Sequence, residues 1–171
     1  MDKGYVHIYT GNGKGKSTAA FGLAIRSACA GNSVYIGQFV KDMAYSEVQV
    51  TQYIPKITVE TLGLGCFIEN TPSDKDLKAA EEALEKCASI LKGEDYQLVI
   101  LDEINIALYF NLLNPQKVIE VLENRNPSIE VVLTGRYASQ DLIDYADLVT
   151  EMKEIKHYYE QGVLSRKGID C

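Results

Sequence analysis

The residues best placed to do chemistry are Thr10, Gly11, Asn12, Gly13, Lys14, Gly15, Lys16, Ser17 and Thr18, between an apolar run (Tyr5 to Tyr9) and a small-residue helical pattern (Ala19 to Ala30). In the order strand, glycine loop, helix, they spell a phosphate-binding loop. The glycines permit a tight turn that aims backbone N–H groups at phosphate oxygens, Lys16 adds a mobile positive charge, and the Ser17 hydroxyl can ligate Mg²⁺. Counting back from Gly15-Lys16-Ser17, Thr10 takes the place of the usual first glycine, so the loop is a variant with glycines at 11, 13 and 15. The ligand implied is a nucleoside triphosphate.

A second signal is acidic. Gln97 to Leu101 reads as a buried strand running into Asp102-Glu103, as in a Walker B element. Beside the loop, Ser17 and one carboxylate would hold Mg²⁺ while the other orients a neighbour or acts as a base; alternatively the pair caps the helix that follows. Arg136, after a strand at Ile129 to Leu133, either neutralises charge on phosphates or stands as a solvated turn arginine. His157, between Lys156 and Tyr158, is given no chemical role. Tyr45 and Tyr53 either touch a large flat ligand or lie in a solvated loop.

Such groups work together only if a scaffold delivers them to one edge. The first strand feeds the loop, and its helix ends near Ala30, where Gly31 can take the left-handed conformation; its buried stripe is Ala20, Leu23, Ala24, Ser27 and Ala28. Ser33 to Val40 is nearly all apolar, as in a strand covered on both faces, and Lys41 and Asp42 follow it. Met43 to Lys56 is a polar stretch without clear periodicity, and Ile57 to Glu60 is a short strand-like run before Gly63-Leu64-Gly65-Cys66-Phe67. Ser73 with Asp76 forms a capping-box signature for a helix ending at Gly93. A short helical segment follows Glu103, and Asn114-Pro115 opens a helix reaching about Glu123. Ser139 opens another short helix, Leu148 to Met152 reads as a last strand, and the tail to Cys171 is rich in charge, tyrosine and glycine. Strands alternating with helices predict one α/β domain over residues 1–171: a P-loop NTPase (RecA-like) fold, doubly wound and mostly parallel, with helices on both faces and its ligand at the carboxyl ends of the strands.

The 171 residues carry a net charge of −7, which disfavours a nucleic-acid partner without a basic stripe, and none is evident. Lys14, Lys16, Lys41 and Arg136 fall instead at strand ends and loops, suiting a small polyanion in one cleft. Cys29, Cys66, Cys87 and Cys171 are scattered, with neither His7 nor His157 at ligand spacing, so no zinc site is expected and three of the thiols read as small buried or pocket-lining hydrophobes. No apolar run approaches the ~20 residues of a membrane span, and Met1-Asp2-Lys3-Gly4 opens no signal peptide, so a cytoplasmic protein with no membrane partner is expected.

Taken in order, Gly11 to Ala20, Gln38-Phe39-Val40-Lys41, Val99 to Glu103, Leu133-Thr134-Gly135-Arg136, Ala146 to Met152, Ile155-Lys156-His157, Gln161-Gly162-Val163 and Gly168-Ile169 resemble the ATP:cob(I)alamin adenosyltransferase family of the corrinoid type over nearly the whole chain. The resemblance implies that Co(I) of a reduced corrinoid attacks the ribose C5′ of ATP, forms a cobalt–carbon bond and releases triphosphate. Such chemistry needs no general base; it needs C5′ held over cobalt and the departing polyanion stabilised. On this reading Lys16, Arg136 and Glu103 serve catalysis, Ser17, Asp102 and Glu103 hold Mg²⁺ (or Mn²⁺), the loop from Thr10 to Thr18 binds ATP in reversed direction, and Lys41 stands at the mouth of the site. A flavoprotein electron donor and a homodimer are implied as well.

One departure stands out. Where relatives place aromatic residues that push away the corrinoid's lower axial ligand, this chain reads Cys66-Phe67-Ile68-Glu69 and has no tryptophan, leaving Phe67, shifted by one position, as the stand-in. Because the first strand opens only a few residues into the sequence, an N-terminal helix such as longer relatives use to cover the corrinoid is not expected here. The competing functions are a RecA-like ATPase or small-molecule kinase, in which Glu103 would activate water or a hydroxyl, and a nucleotide-sensing or cofactor-delivery module without turnover.

Overall fold

The computed structural model describes residues 3–40, 46–63 and 72–170. Six strands, β1 (Val6–Thr10), β2 (Val34–Gln38), β3 (Ile57–Thr61), β4 (Leu98–Asp102), β5 (Glu130–Thr134) and β6 (Leu148–Glu151), form one sheet in the order β3-β2-β4-β5-β1-β6. Every pairing among the described strands is parallel, so the sheet is more uniform than the mostly parallel one expected. The helices are α1 (Lys16–Cys29), α2 (Val50–Tyr53), α3 (Asp74–Lys92), α4 (Ile104–Tyr109), α5 (Pro115–Glu123) and α6 (Gln140–Tyr145). Residues 46–53, expected as irregular chain, instead form a short 3-10 turn continuing into α2.

Alternation along the strands explains the two apolar layers. Val99, Leu101, Val131 and Leu133 face α3, α4, α5 and α6, whereas Leu98, Ile100 and Val132 face α1. Because both faces are covered, these strands read in sequence as continuous apolar runs. Each fully buried aliphatic side chain contributes about 1.5–3 kcal/mol. α1 packs Ala20, Phe21, Ala24 and Ala28 against the sheet, with Phe21 as the one large anchor, while Leu23 and Ser27 lie only partly covered. Gly31 has the positive φ that ends this helix.

α3 starts as its sequence demands, with Ser73 Oγ accepting from the Asp76 N–H at 3.4 Å and Asp76 accepting from the Ser73 N–H at 2.9 Å. Asn114 caps α5 through the Gln116 N–H at 2.8 Å, ahead of Pro115. Cys87 of α3 is fully buried and burial pushes its thiol up to about 12, but Cys29 is exposed because it lies on the outer side of α1. Of the other two thiols, Cys66 and Cys171 lie outside the described residues.

The register fixes where the site forms. Gln38 pairs with Asp102 across β2 and β4, Tyr9 with Thr134 across β1 and β5, and Thr10 with Glu151 across β1 and β6. Five strands therefore deliver polar side chains to a single carboxyl edge.

Candidate active site

The loop after β1 needs its glycines for two different reasons. Gly11 (φ 97°) and Gly15 (φ 115°) occupy backbone conformations that favour glycine. Gly13 is confined by its neighbour: its N–H donates to the Met152 carbonyl at 2.6 Å, and a Cβ there would sit 2.6 Å from that same oxygen. The chain leaving β6 thus presses against the loop and holds its curvature.

Lys16 is 8% exposed and donates to the Gly13 carbonyl at 2.7 Å, folding back over its own loop. Burial lowers its pKa, the Arg136 charge lowers it further, and Glu103 opposes both. This electrostatic trio surrounds a cleft of about 530 Å³, lined also by Ser17, Thr18 and Phe21. The volume lies in the range typical of small-molecule sites.

Asp102 is wholly buried behind the cleft. Its carboxylate accepts from Ser17 Oγ at 2.8 Å, Thr134 Oγ1 at 2.7 Å and Gln38 Nε2 at 3.1 Å. Three strand ends and the first turn of α1 are thereby knotted on one carboxylate, a network that fixes the Ser17 hydroxyl. Glu103 behaves differently. Its φ of 63° is in the left-handed region, its N–H is held by Thr134 Oγ1 at 2.9 Å, and its side chain lines the cleft. It occupies the N-cap position of α4 but makes no side-chain cap hydrogen bond, so capping does not account for it. Ser17 and Glu103 line the cleft and offer hard oxygen donors of the kind Mg²⁺ takes alongside phosphate oxygens, whereas Asp102, expected from the sequence as a third ligand, is buried behind Ser17 and orients it. Among the described residues no three His, Cys, Asp or Glu side chains gather as a protein-only metal cage.

Arg136 is exposed on the opposite side and lines the same cleft, which favours the phosphate-facing reading over a turn arginine in free solvent. Its backbone is bracketed by Gly135 (φ 126°) and Tyr137 (φ 61°). Asn105, fully buried in α4, donates to the Gly135 carbonyl at 3.2 Å, and the rings of Tyr137 and Tyr109 lie 4.2 Å apart. α4 therefore grips the turn that presents the arginine.

Thr10 and Gly11 stand behind the cleft rather than in its lining; Thr10 Oγ1 accepts from the Ala138 N–H at 3.3 Å and braces the loop against the β5 turn. Lys14 lines the cleft but its ammonium turns to the tail, donating to Tyr158 Oη at 2.7 Å and the Ile169 carbonyl at 3.2 Å and pairing with Asp170. The Lys14 hydrogen bond, followed by the nearby guanidinium of Arg166, lowers the Tyr158 phenol pKa. Lys41, Phe67 and Tyr45 lie outside the described residues; Tyr53 is described and strongly exposed.

Sequence reasoning missed Gln38, Thr134 and Asn105 as supports, and His157, Ile169 and Asp170 as cleft-lining residues. The first two were findable, because a polar residue closing an apolar strand run lands on the site edge. The tail residues carry no local signal, since their partners lie about 150 positions away in sequence.

A family model described as "ATP:corrinoid adenosyltransferase BtuR/CobO/CobP" matches residues 2–171. A corrinoid adenosyltransferase of Sinorhizobium sp is 39% identical over 99% of this chain and 81% of its own length. Those of Pseudomonas aeruginosa and Escherichia coli K12 are 34% and 29% identical, again over 99% of this chain and over 84% and 86% of their lengths. Among solved structures, the RadB recombinase superposes with a TM-score of 0.58 at 15% identity, covering 91% of this chain and 77% of its own. A KaiC-like protein from Pyrococcus horikoshii OT3 gives 0.51 at 19% identity, covering 90% and 75%. These two likenesses place the sheet and loop in the RecA-like class of P-loop folds.

Proposed function

The chain belongs to the ATP:corrinoid adenosyltransferase BtuR/CobO/CobP family, and on that premise we propose how its cleft transfers the 5′-deoxyadenosyl group of ATP to Co(I) of a corrinoid. In this reaction the cobalt electron pair forms a bond to C5′, the C5′–O bond breaks, and its electrons leave on triphosphate. The single observation that carries the site assignment is the convergence of Lys16, Glu103 and Arg136 on one cleft roofed by the phosphate loop.

The loop amides and Lys16 hold the triphosphate, and Arg136 faces them to neutralise the charge that grows on the leaving oxygen. The lowered pKa of Lys16 in the unliganded protein reflects a positive charge held in a dry place beside another, and a polyanion relieves both penalties. Ser17, oriented by Asp102, and Glu103 would hold Mg²⁺ or Mn²⁺, which supplies charge neutralisation to the triphosphate when bound. Lys41 and Phe67 are assigned by resemblance to the corrinoid side. One domain spanning residues 1–171, a homodimer, a cytoplasmic location and a flavoprotein reductant complete the reading, each supported by resemblance.

Incubation of the protein with ATP and a chemically reduced corrinoid tests the proposal, with cobalamin and cobinamide run in parallel. The expected products are inorganic triphosphate and a light-sensitive alkylcobalt spectrum. ADP as the only nucleotide product would overturn it in favour of phosphoryl chemistry, and tight binding without either product would mark a module without turnover.

A further inference from the structure

Resting on the adenosyltransferase reading, we propose that Asp170 is a positioning residue: through Lys14 it clasps residues 157–170 onto the phosphate loop and so sets the cleft wall against which the triphosphate is held.

The tail is fastened unevenly. Residues 159–169 are exposed, including Leu164 at 72% and Ile169 at 63%, and none of residues 153–170 belongs to either buried apolar cluster. Yet the Asp170 side chain is only 11% exposed. Its carboxylate accepts from the Arg166 N–H at 3.1 Å, Arg166 Nε at 3.3 Å, Tyr158 Oη and Lys14 Nζ. The Arg166 guanidinium also lies over the Tyr158 ring at 4.8 Å. A carboxylate with four donors is a network rather than an isolated surface pair, and charge-assisted networks of this kind hold geometry where single exposed pairs do not. This part of the wall is therefore fastened by ions instead of apolar burial.

The fastening falls on the loop itself. At one end of the excursion Gly13 N–H holds the Met152 carbonyl; at the other, Lys14, the next residue, holds Asp170 and the Ile169 carbonyl. Adjacent loop residues thus grip both ends of an 18-residue detour, and His157, Gly168, Ile169 and Asp170 line the cleft because of it. Two cations against one carboxylate leave the cluster net positive, so it does not repel a triphosphate.

The test compares wild type with Asp170→Asn, which keeps shape and loses charge, and Asp170→Glu, which keeps charge. Hydrogen exchange reads the amides of 157–170, calorimetry with inorganic triphosphate reads the wall, and adenosylation kinetics separate KM for ATP from kcat. Asp170→Asn should exchange faster across 157–170 only, bind triphosphate about tenfold more weakly at low salt, and raise KM more than it lowers kcat. The gap should narrow as salt rises, and Asp170→Glu should recover most of it. Tyr158→Phe, which removes one donor without changing charge, should shift the same readouts less and serves if Asp170→Asn does not fold. Unchanged exchange in 157–170 overturns the proposal. So does triphosphate bound as tightly or more tightly by Asp170→Asn, which would mean that Asp170 withholds Lys14 from phosphate. Production of ADP by the wild type would sink the adenosyltransferase reading, while exchange and triphosphate binding would still judge the clasp.

Discussion

The two walls of the cleft are built by opposite means. On one side, β2, β4 and β5 end in a buried polar knot: Asp102 is fully enclosed and ties Ser17, Thr134 and Gln38 together above an apolar core. On the other, residues 153–170 run over the loop almost entirely in solvent, held by Lys14, Asp170, Tyr158 and Arg166. Local opening is costly where backbone and side chains are buried and cheap where they are not. The first wall is therefore costly to open, as the proposed seat of the phosphates requires, and the second can release without unfolding anything else.

The sharpest way to break this contrast is Lys16→Ala. It removes the only described ammonium folded back onto the loop's own carbonyl, and adenosylation should fall at least ~10²–10³-fold by the loss of one charge-stabilising donor, measured as triphosphate released. Near-normal turnover would mean the rigid wall is not where phosphates sit. Next in size, Glu103→Gln should lower kcat about 10²-fold while cobalamin difference spectra show corrinoid binding intact; loss of corrinoid binding would move Glu103 to a different task.

Gly13→Ala tests the seam between the walls. Its Cβ would meet the Met152 carbonyl at 2.6 Å, so the variant should lose about 1–3 kcal/mol of stability and bind ATP weakly, read by thermal unfolding with and without nucleotide. A normal unfolding temperature would show that the seam yields freely. The smallest effect belongs to a control far from both walls. Glu60 takes a 2.5 Å ion pair from Lys86 and a hydrogen bond from Tyr35 at 2.8 Å, which hold its carboxyl below the ordinary 4.5 despite burial. Ionised Glu60 therefore favours the folded state above that value, and the contribution drains away as pH falls through the depressed one. Glu60→Gln should flatten the acid limb of stability by a few tenths of a kcal/mol, because the pair is partly solvated, and leave triphosphate affinity untouched. A pH profile identical to wild type would dismiss the pair as a contributor.

The rigid wall was largely legible in the sequence, and the reason is local. Glycine spacing, an apolar run closed by Asp102-Glu103, and the Thr134-Gly135-Arg136 strand exit each signal within a few residues, and a parallel sheet necessarily gathers such exits at one edge. What was not legible depends on distance or depth. That Asp102 would be sealed away while Glu103 faces the cleft follows from one left-handed residue, a backbone fact invisible in composition. Cys29 on the outside of α1 and Asn105 beneath the Arg136 turn depend on helix rotation against the sheet. The turning of Lys14 toward Asp170 joins residues 156 positions apart, with no pattern in between to announce it.

Strand order has a consequence for biogenesis. β1 lies between β5 and β6, so the first strand to leave a ribosome finds its two neighbours only after residues 130–151 have been synthesised. The nucleotide cradle that follows β1 is complete in covalent terms by residue 18, yet Met152, against which it is braced, arrives more than a hundred residues later. A nascent chain stalled before β6 would carry the whole glycine motif and lack the Met152 carbonyl that braces it.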